Sequence, residues 1–155
     1  MAATTKFLTN PPRVKGFHTA GTSLATATWT RVTFGASDGS DYEGMRGSTG
    51  FTLKADGRYQ ISFCVAFAGN ATGYRWAQVR KNSAGSVASG TALFVDRRLP
   101  QSSGTTAFVT ATADVPALVS GDVLELFAYQ SSGAGLALGV GASETWMSVR
   151  WVALD

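Results

Sequence analysis

An antiparallel jelly-roll β-sandwich of about ten strands is the fold this sequence predicts, and three observations predict it. From Arg58 to Ala68 the side chains alternate strictly: Tyr59, Ile61, Phe63, Val65 and Phe67 fall on one face, and Gln60, Ser62, Cys64 and Ala66 on the other. A period of two over this length is a strand with one face in a core. Further short runs of β-formers follow one another with turn residues between them, and no window carries apolar residues at helical spacing.

Taken in order, residues 1–12 read as an arm and 13–155 as one domain. The arm is polar and ends in Asn10-Pro11-Pro12-Arg13, and a proline pair cannot enter a sheet interior. Strands are then expected at Arg13–Thr19, Thr28–Phe34, Thr49–Lys54, Arg58–Ala68, Tyr74–Lys81, Ala92–Arg97, Ala107–Ala113, Val123–Gln130, Leu136–Val140 and Thr145–Leu154. Ser37-Asp38-Gly39-Ser40, Ala55-Asp56-Gly57, Ala84-Gly85-Ser86, Gln101-Ser102-Ser103-Gly104, Ser120-Gly121-Asp122 and Ser131-Ser132-Gly133 are the turns. With 155 residues the chain is long enough to bury a core without staples, and the single cysteine excludes an intrachain disulfide.

Only 15% of the residues are charged, which points to a neutral surface or to surface buried against other subunits. The net charge of +3 is scattered, with Arg80-Lys81 and Arg97-Arg98 the only basic doublets, so no nucleic-acid face is expected. No run approaches the ~18 apolar residues of a membrane span. Met1 to Thr9 lacks a basic start and an apolar run, so synthesis and folding in a cytoplasm are expected.

Two strands are apolar on both faces. In Val123–Gln130, Leu124, Leu126 and Ala128 face one way and Phe127 and Tyr129 the other; in Thr145–Leu154, Met147, Val149 and Trp151 oppose Trp146, Ser148, Arg150 and Val152. A strand in a lone sandwich needs one wet face. The second apolar face is therefore covered either by another subunit or by a loop of the same chain.

Several stretches resemble the complement/tumour-necrosis-factor family of trimeric jelly rolls. Trp29-Thr30-Arg31-Val32-Thr33-Phe34, Asp41-Tyr42, Gly50-Phe51-Thr52-Leu53 and Gly57-Arg58-Tyr59-Gln60-Ile61-Ser62-Phe63 are similar to its front half. Val79-Arg80-Lys81-Asn82, Leu118 with Gly121-Asp122-Val123, and Trp146 to Val152 are similar to its back half. The resemblance covers residues 13–154, without the collagen-like stalk of secreted animal members. It implies a homotrimer, and Gln60, Ser62, Cys64, Phe127, Tyr129 and Trp151 are the residues expected at its interface. The lead-in from Pro11-Pro12-Arg13 to Thr33-Phe34 and the Gln130-Ser131-Ser132-Gly133 segment look more like the jelly rolls of bacteriophage virions, which serve as capsid decoration, head fibres or tail tips.

Chemistry is sparse. His18 is the only histidine, no nucleophile elbow is present, and one His with one Cys is too few for a zinc site, so no enzyme, cofactor or metal is expected. Asp38, Asp41 and Glu43 cluster around Gly39 and Ser40; they read as a solvated loop or as oxygen ligands for calcium. Cys64 reads as a small buried residue or a thiol awaiting a cationic neighbour. Tyr42, Tyr74 and Trp76 neighbour turns, and they either stack on an outside partner such as a host-surface glycan or pack in the core. Lys6, Pro11, Pro12 and Arg13 are expected to anchor the protein to capsid or tail proteins. The function expected is thus a non-enzymatic virion surface protein; the alternative is a stand-alone carbohydrate- or receptor-binding module.

Overall fold

The computed structural model describes residues 10–100 and 102–155. Its strands are β1 (Arg13–Phe17), β2 (Ser23–Leu24), β3 (Thr30–Arg31), β4 (Ala36–Ser37), β5 (Phe51–Thr52), β6 (Gly57–Phe67), β7 (Arg75–Lys81), β8 (Thr91–Arg98), β9 (Ala107–Leu118), β10 (Val123–Gln130), β11 (Leu136–Ala137) and β12 (Trp146–Ala153). One 3-10 turn at Tyr42–Gly44 is the sole helical element among the described residues.

Two five-stranded layers face each other. The first has the order β4-β1-β12-β6-β9; the second runs β3-β10-β7-β8, with β5 also on β10, and β11 pairs with β2 in a short ribbon. Every described pairing is antiparallel. The first and last long strands lie side by side, Arg13 opposite Arg150 and Phe17 opposite Trp146. Strands from both chain ends thus close the middle of one sheet, the jelly-roll arrangement that the strand spacing predicts.

The alternating strand β6 does what its pattern dictates. Tyr59, Ile61, Phe63, Val65 and Phe67 are all buried and join one core with Leu124, Leu126 and Ala128 of β10 and Met147 and Val149 of β12. Burying a large apolar side chain stabilises by about 1.5–3 kcal/mol, so this face and its counterparts dominate the fold. Tyr59 keeps its polar tip satisfied by donating to the Ala55 carbonyl at 2.8 Å, and burial pushes its phenol up to about 12. The turn before it needs Gly57, at φ +128°, where a Cβ would stand 2.2 Å from the Ala153 carbonyl oxygen.

Some elements differ from expectation. The run Thr28–Phe34 contributes only Thr30–Arg31 to a ladder, although Val32 and Phe34 still donate to Leu126 and Ser48. Ala27 just before it takes φ +57°, so the chain arrives bent. Leu136–Val140 shrinks to Leu136–Ala137 plus a bridge from Leu138 to Phe67. Strands β2 and β4, two residues each, lie where turns or nothing were expected; such elements are too short to show a period.

The arm's end is fastened to the domain. Pro12 is buried, and its carbonyl accepts the Trp151 amide at 2.8 Å, a bond that needs no amide on the proline. Pro11 is half-buried, Arg13 opens β1, and Lys6 lies outside the described residues.

Candidate functional site

The two outward faces of the sandwich differ in one respect that matters for function: what covers them. On the second sheet the outward residues of β10 are Glu125, Phe127 and Tyr129. Phe127 is buried by its own chain, flanked in register by Arg31 and Gln78. Glu125 is 3% exposed; Arg31 donates to it at 2.7 Å and the Ser83 hydroxyl donates to its other oxygen. Gly85 lies against the Arg31 guanidinium, so the connection after β7 folds over this part of the sheet. The Glu125 end of this outward face of β10 is therefore covered by a loop of the same chain. Burial pushes the Glu125 carboxyl up, but the bonds from Ser83 and Arg31 outweigh it and hold the group below its ordinary range.

Beyond Phe127 the same face carries an aromatic row. Trp29, Tyr129 and Trp76 meet with ring centroids 5.2 Å (Trp29–Tyr129), 5.8 Å (Trp76–Tyr129) and 6.0 Å (Trp29–Trp76) apart. Arg97 of β8 closes the row, its guanidinium carbon 4.8 Å from the Tyr74 centroid and 5.5 Å from that of Trp76. Each contact is worth about 0.5–1.5 kcal/mol beyond its area. Tyr74 is exposed, while Trp29, Trp76 and Tyr129 are half-buried. Two of the three expected contact residues, Tyr74 and Trp76, thus sit together on an outward face.

The first sheet is different. Its registers set three transverse rows across β1, β12, β6 and β9: Phe17–Trp146–Cys64–Thr110, Lys15–Ser148–Ser62–Thr112 and Arg13–Arg150–Gln60–Asp114. Phe108, 46% exposed, stands at the edge beyond the first row, opposite Ala66. Lys15 reaches over the Trp146 ring at 4.6 Å, and Thr112 donates to the Ser62 hydroxyl at 2.9 Å. Gln60, Ser62 and Cys64 therefore lie on one face, as parity requires.

The other three expected interface residues do not join them. Phe127 and Tyr129 belong to the opposite sheet and point away from the first one, because β10 pairs with β3, β5 and β7. Trp151 shares its parity with Met147 and Val149, packs against the core and donates its indole N–H to the Asp56 carbonyl at 2.9 Å. Trp146, Ser148, Arg150 and Val152 are the β12 residues on the outward face.

Cys64 is 5% exposed, and burial pushes its thiol up to about 11, with Glu144 adding to the effect and Lys15 opposing it. Thiolate is the reactive form. A disulfide reagent at pH 8 is expected to label native Cys64 on the order of 100-fold more slowly than the denatured chain. Equal rates would show an open, activated thiol.

Tyr42 is a correction. It is 8% exposed and sits in the core cluster, because the 3-10 turn tucks its ring under the sheets, far from the role of an outer contact. The neighbouring carboxylates serve the loop itself: Asp38 accepts the Ser40 amide at 3.0 Å and Asp41 accepts the Arg46 amide at 2.9 Å. Among the described residues no group of three or more His, Cys, Asp or Glu is placed to hold a metal ion, so Asp38, Asp41 and Glu43 do not converge on one. His18 is buried, with Nδ1 2.8 Å from the Thr33 carbonyl it donates to.

The fold matches solved structures over nearly its whole length. The globular domain of zebrafish complement 1qA protein superposes with a TM-score of 0.63 at 16% identity, covering 93% of this chain and 99% of that one. The Eiger TNF of S. frugiperda gives 0.65 at 10% identity, covering 94% and 95%. Murine APRIL at pH 5.0 gives 0.70 at 14% identity, covering 92% and 99%. At these identities the likeness is one of fold. No protein-family model and no curated protein sequence matches the chain.

Proposed function

We propose that this chain is a non-enzymatic surface module that associates into a homotrimer through the outward face of its first sheet and turns the aromatic row of its second sheet to the outside. The observation that carries this reading is the difference in cover. The second sheet is shielded by its own chain around Glu125 and Phe127, whereas on the outward face of the first sheet Phe17 and Trp146 stay half-buried and Phe108 and Val152 are exposed. A sheet face with half-buried and exposed aromatic residues on three of its strands fits an interface between copies better than a solvated surface. The trimeric resemblance of the sequence supplies the copy number.

The setting to which the sequence resemblance points is a bacteriophage virion, as capsid decoration or as a head- or tail-fibre tip. The aromatic row favours a second reading within the same fold: Trp29, Trp76, Tyr129 and Tyr74, with the Arg97 guanidinium beside them, form a surface that stacks on sugar rings. Sedimentation equilibrium is expected to give three times the chain mass at micromolar concentration. A monomer there ends the self-association reading. Cryo-EM of purified particles and glycan-array binding by the isolated protein then separate the virion role from the stand-alone binding module.

A further inference from the structure

We propose that Asp114 of one copy pairs with Arg13 and Arg150 of the next, and that this contact fixes the register of the assembly. The inference rests on the self-association reading above and adds its specificity. Arg13 and Arg150 are exposed cross-strand neighbours on β1 and β12, two like charges directly opposite each other. Such a pair is destabilising in a lone sheet. No ion pair among the described residues neutralises either one, and none engages Asp114; the described pairs are Arg31–Glu125, Arg58–Asp155, Lys81–Asp122 and Arg98–Asp96.

Asp114 lies in the same transverse row, but on the edge strand β9, with Gln60 between it and Arg150. At the usual strand spacing Asp114 is about 14 Å from Arg13 and about 10 Å from Arg150 along the row. The row thus carries its two positive charges on one side and its negative charge at the far edge. A second copy turned about an axis parallel to the strands keeps every row at its own height. That operation brings the acidic edge of one copy to the basic side of the next.

The aromatic end of the face repeats the logic. Phe108 is exposed on the same edge strand, and Phe17 and Trp146 stand on the same side as the two arginines. Phe108 is opposite Ala66, two residues along β6 from the Cys64 row that holds Trp146 and Phe17. One rotation therefore sets acid against base at one end and brings Phe108 to within one row, about 7 Å, of the aromatic pair at the other. Shifting the copies by the single row that leaves Asp114 facing Ser148 and Lys15 would carry Phe108 a further row from the aromatic pair. Two different patches that match only between copies generate a closed ring when the rotation closes.

The test compares the full-length protein with Asp114→Arg, with Arg13→Asp/Arg150→Asp, and with the combined triple substitution, by sedimentation over a range of concentrations at low and high salt. All three positions are exposed, so far-UV circular dichroism checks that each variant keeps the β fold. Asp114→Arg and Arg13→Asp/Arg150→Asp are each expected to raise the concentration at half-dissociation at least about tenfold, as loss of a close interfacial charge pair does. The triple substitution, with all charges exchanged, is expected to return it to within about threefold of the wild type. Added salt is expected to weaken the wild type and the triple variant alike. A folded Asp114→Arg protein that assembles as tightly as wild type overturns the pairing and leaves self-association standing. A triple variant no tighter than Asp114→Arg also overturns it. A wild-type protein that stays monomeric throughout overturns both readings.

Discussion

Phe63→Ala is expected to destabilise the folded protein by about 3–5 kcal/mol, the loss typical of a large aromatic removed from a packed core. Phe63 is 1% exposed at the centre of β6, between Met147 on β12 and Ala111 on β9 in register. Its ring stacks on Phe94 of β8 with centroids 5.5 Å apart and 18° between planes. The two strands belong to different sheets, so Phe63 is one of the side chains that hold the layers together. Truncation removes the transfer energy of the ring and leaves a cavity that neither sheet can collapse into without bending its ladder. Urea unfolding of wild type and variant at one protomer concentration measures the effect, since assembly makes stability concentration-dependent. A loss below about 1 kcal/mol would show that this face of β6 is not the core.

What could be read in advance follows from how local each signal is. The face of β6 is written in eleven consecutive residues, and β10 is bounded by Gly121-Asp122 on one side and Ser131-Ser132 on the other; both appear where the pattern puts them. Pairing is another matter. Nothing near Arg13 in sequence says that it will lie opposite Arg150, so the like-charge pair and its distance from Asp114 become visible only when the ladder is known. The aromatic row has the same origin. Trp29, Trp76, Arg97 and Tyr129 stand on or beside four different strands, and Tyr74 and Trp76 were reachable from sequence only because they adjoin a turn.

The two apolar faces of β10 illustrate an ambiguity of kind. Alternation reports that Phe127 and Tyr129 are on the side away from Leu124 and Leu126, but not what lies over them. A loop of the same chain and a neighbouring subunit impose the same composition on a strand. Here the loop carrying Ser83 and Gly85 covers the Glu125 end of β10, while on the outward face of β12 Trp146 is half-buried and Val152 exposed. Tyr42 shows the reverse error: proximity to turn residues suggests exposure, while a single 3-10 turn is enough to bury the ring.

Arg75→Met is expected to cost about 2–4 kcal/mol and to disturb the aromatic row, although it replaces a charge with a chain of similar length. Arg75 is 0% exposed, yet no carboxylate among the described residues pairs with it. Three backbone carbonyls of the β6–β7 connection take its place: Nη1 donates to Thr72 at 3.0 Å and to Tyr74 at 3.1 Å, and Nη2 to Asn70 at 3.0 Å. Burial lowers the guanidinium pKa, but arginine stays charged at any working pH. The cation is therefore tolerated because the connection wraps its carbonyls around it. Methionine fills the space and leaves the Asn70 and Thr72 carbonyls without the guanidinium donor, while Tyr74 keeps the Ser131 amide at 3.2 Å; the loss is about 1–3 kcal/mol for each acceptor that water cannot reach. Ala71 and Thr72 are exposed, so water recovers part of that loss, which sets the lower end of the range. Lysine is expected to rescue little, because a point charge with no planar fork cannot serve three carbonyls spread over Asn70 to Tyr74. The connection leads directly into Tyr74 and Trp76, so its loosening should also shift the tryptophan fluorescence of the row before global unfolding. Urea titrations followed by fluorescence and by circular dichroism together test both parts. Coincident, wild-type-like transitions for Arg75→Met would show that the carbonyls are satisfied without the guanidinium and that this buried cation organises nothing around it.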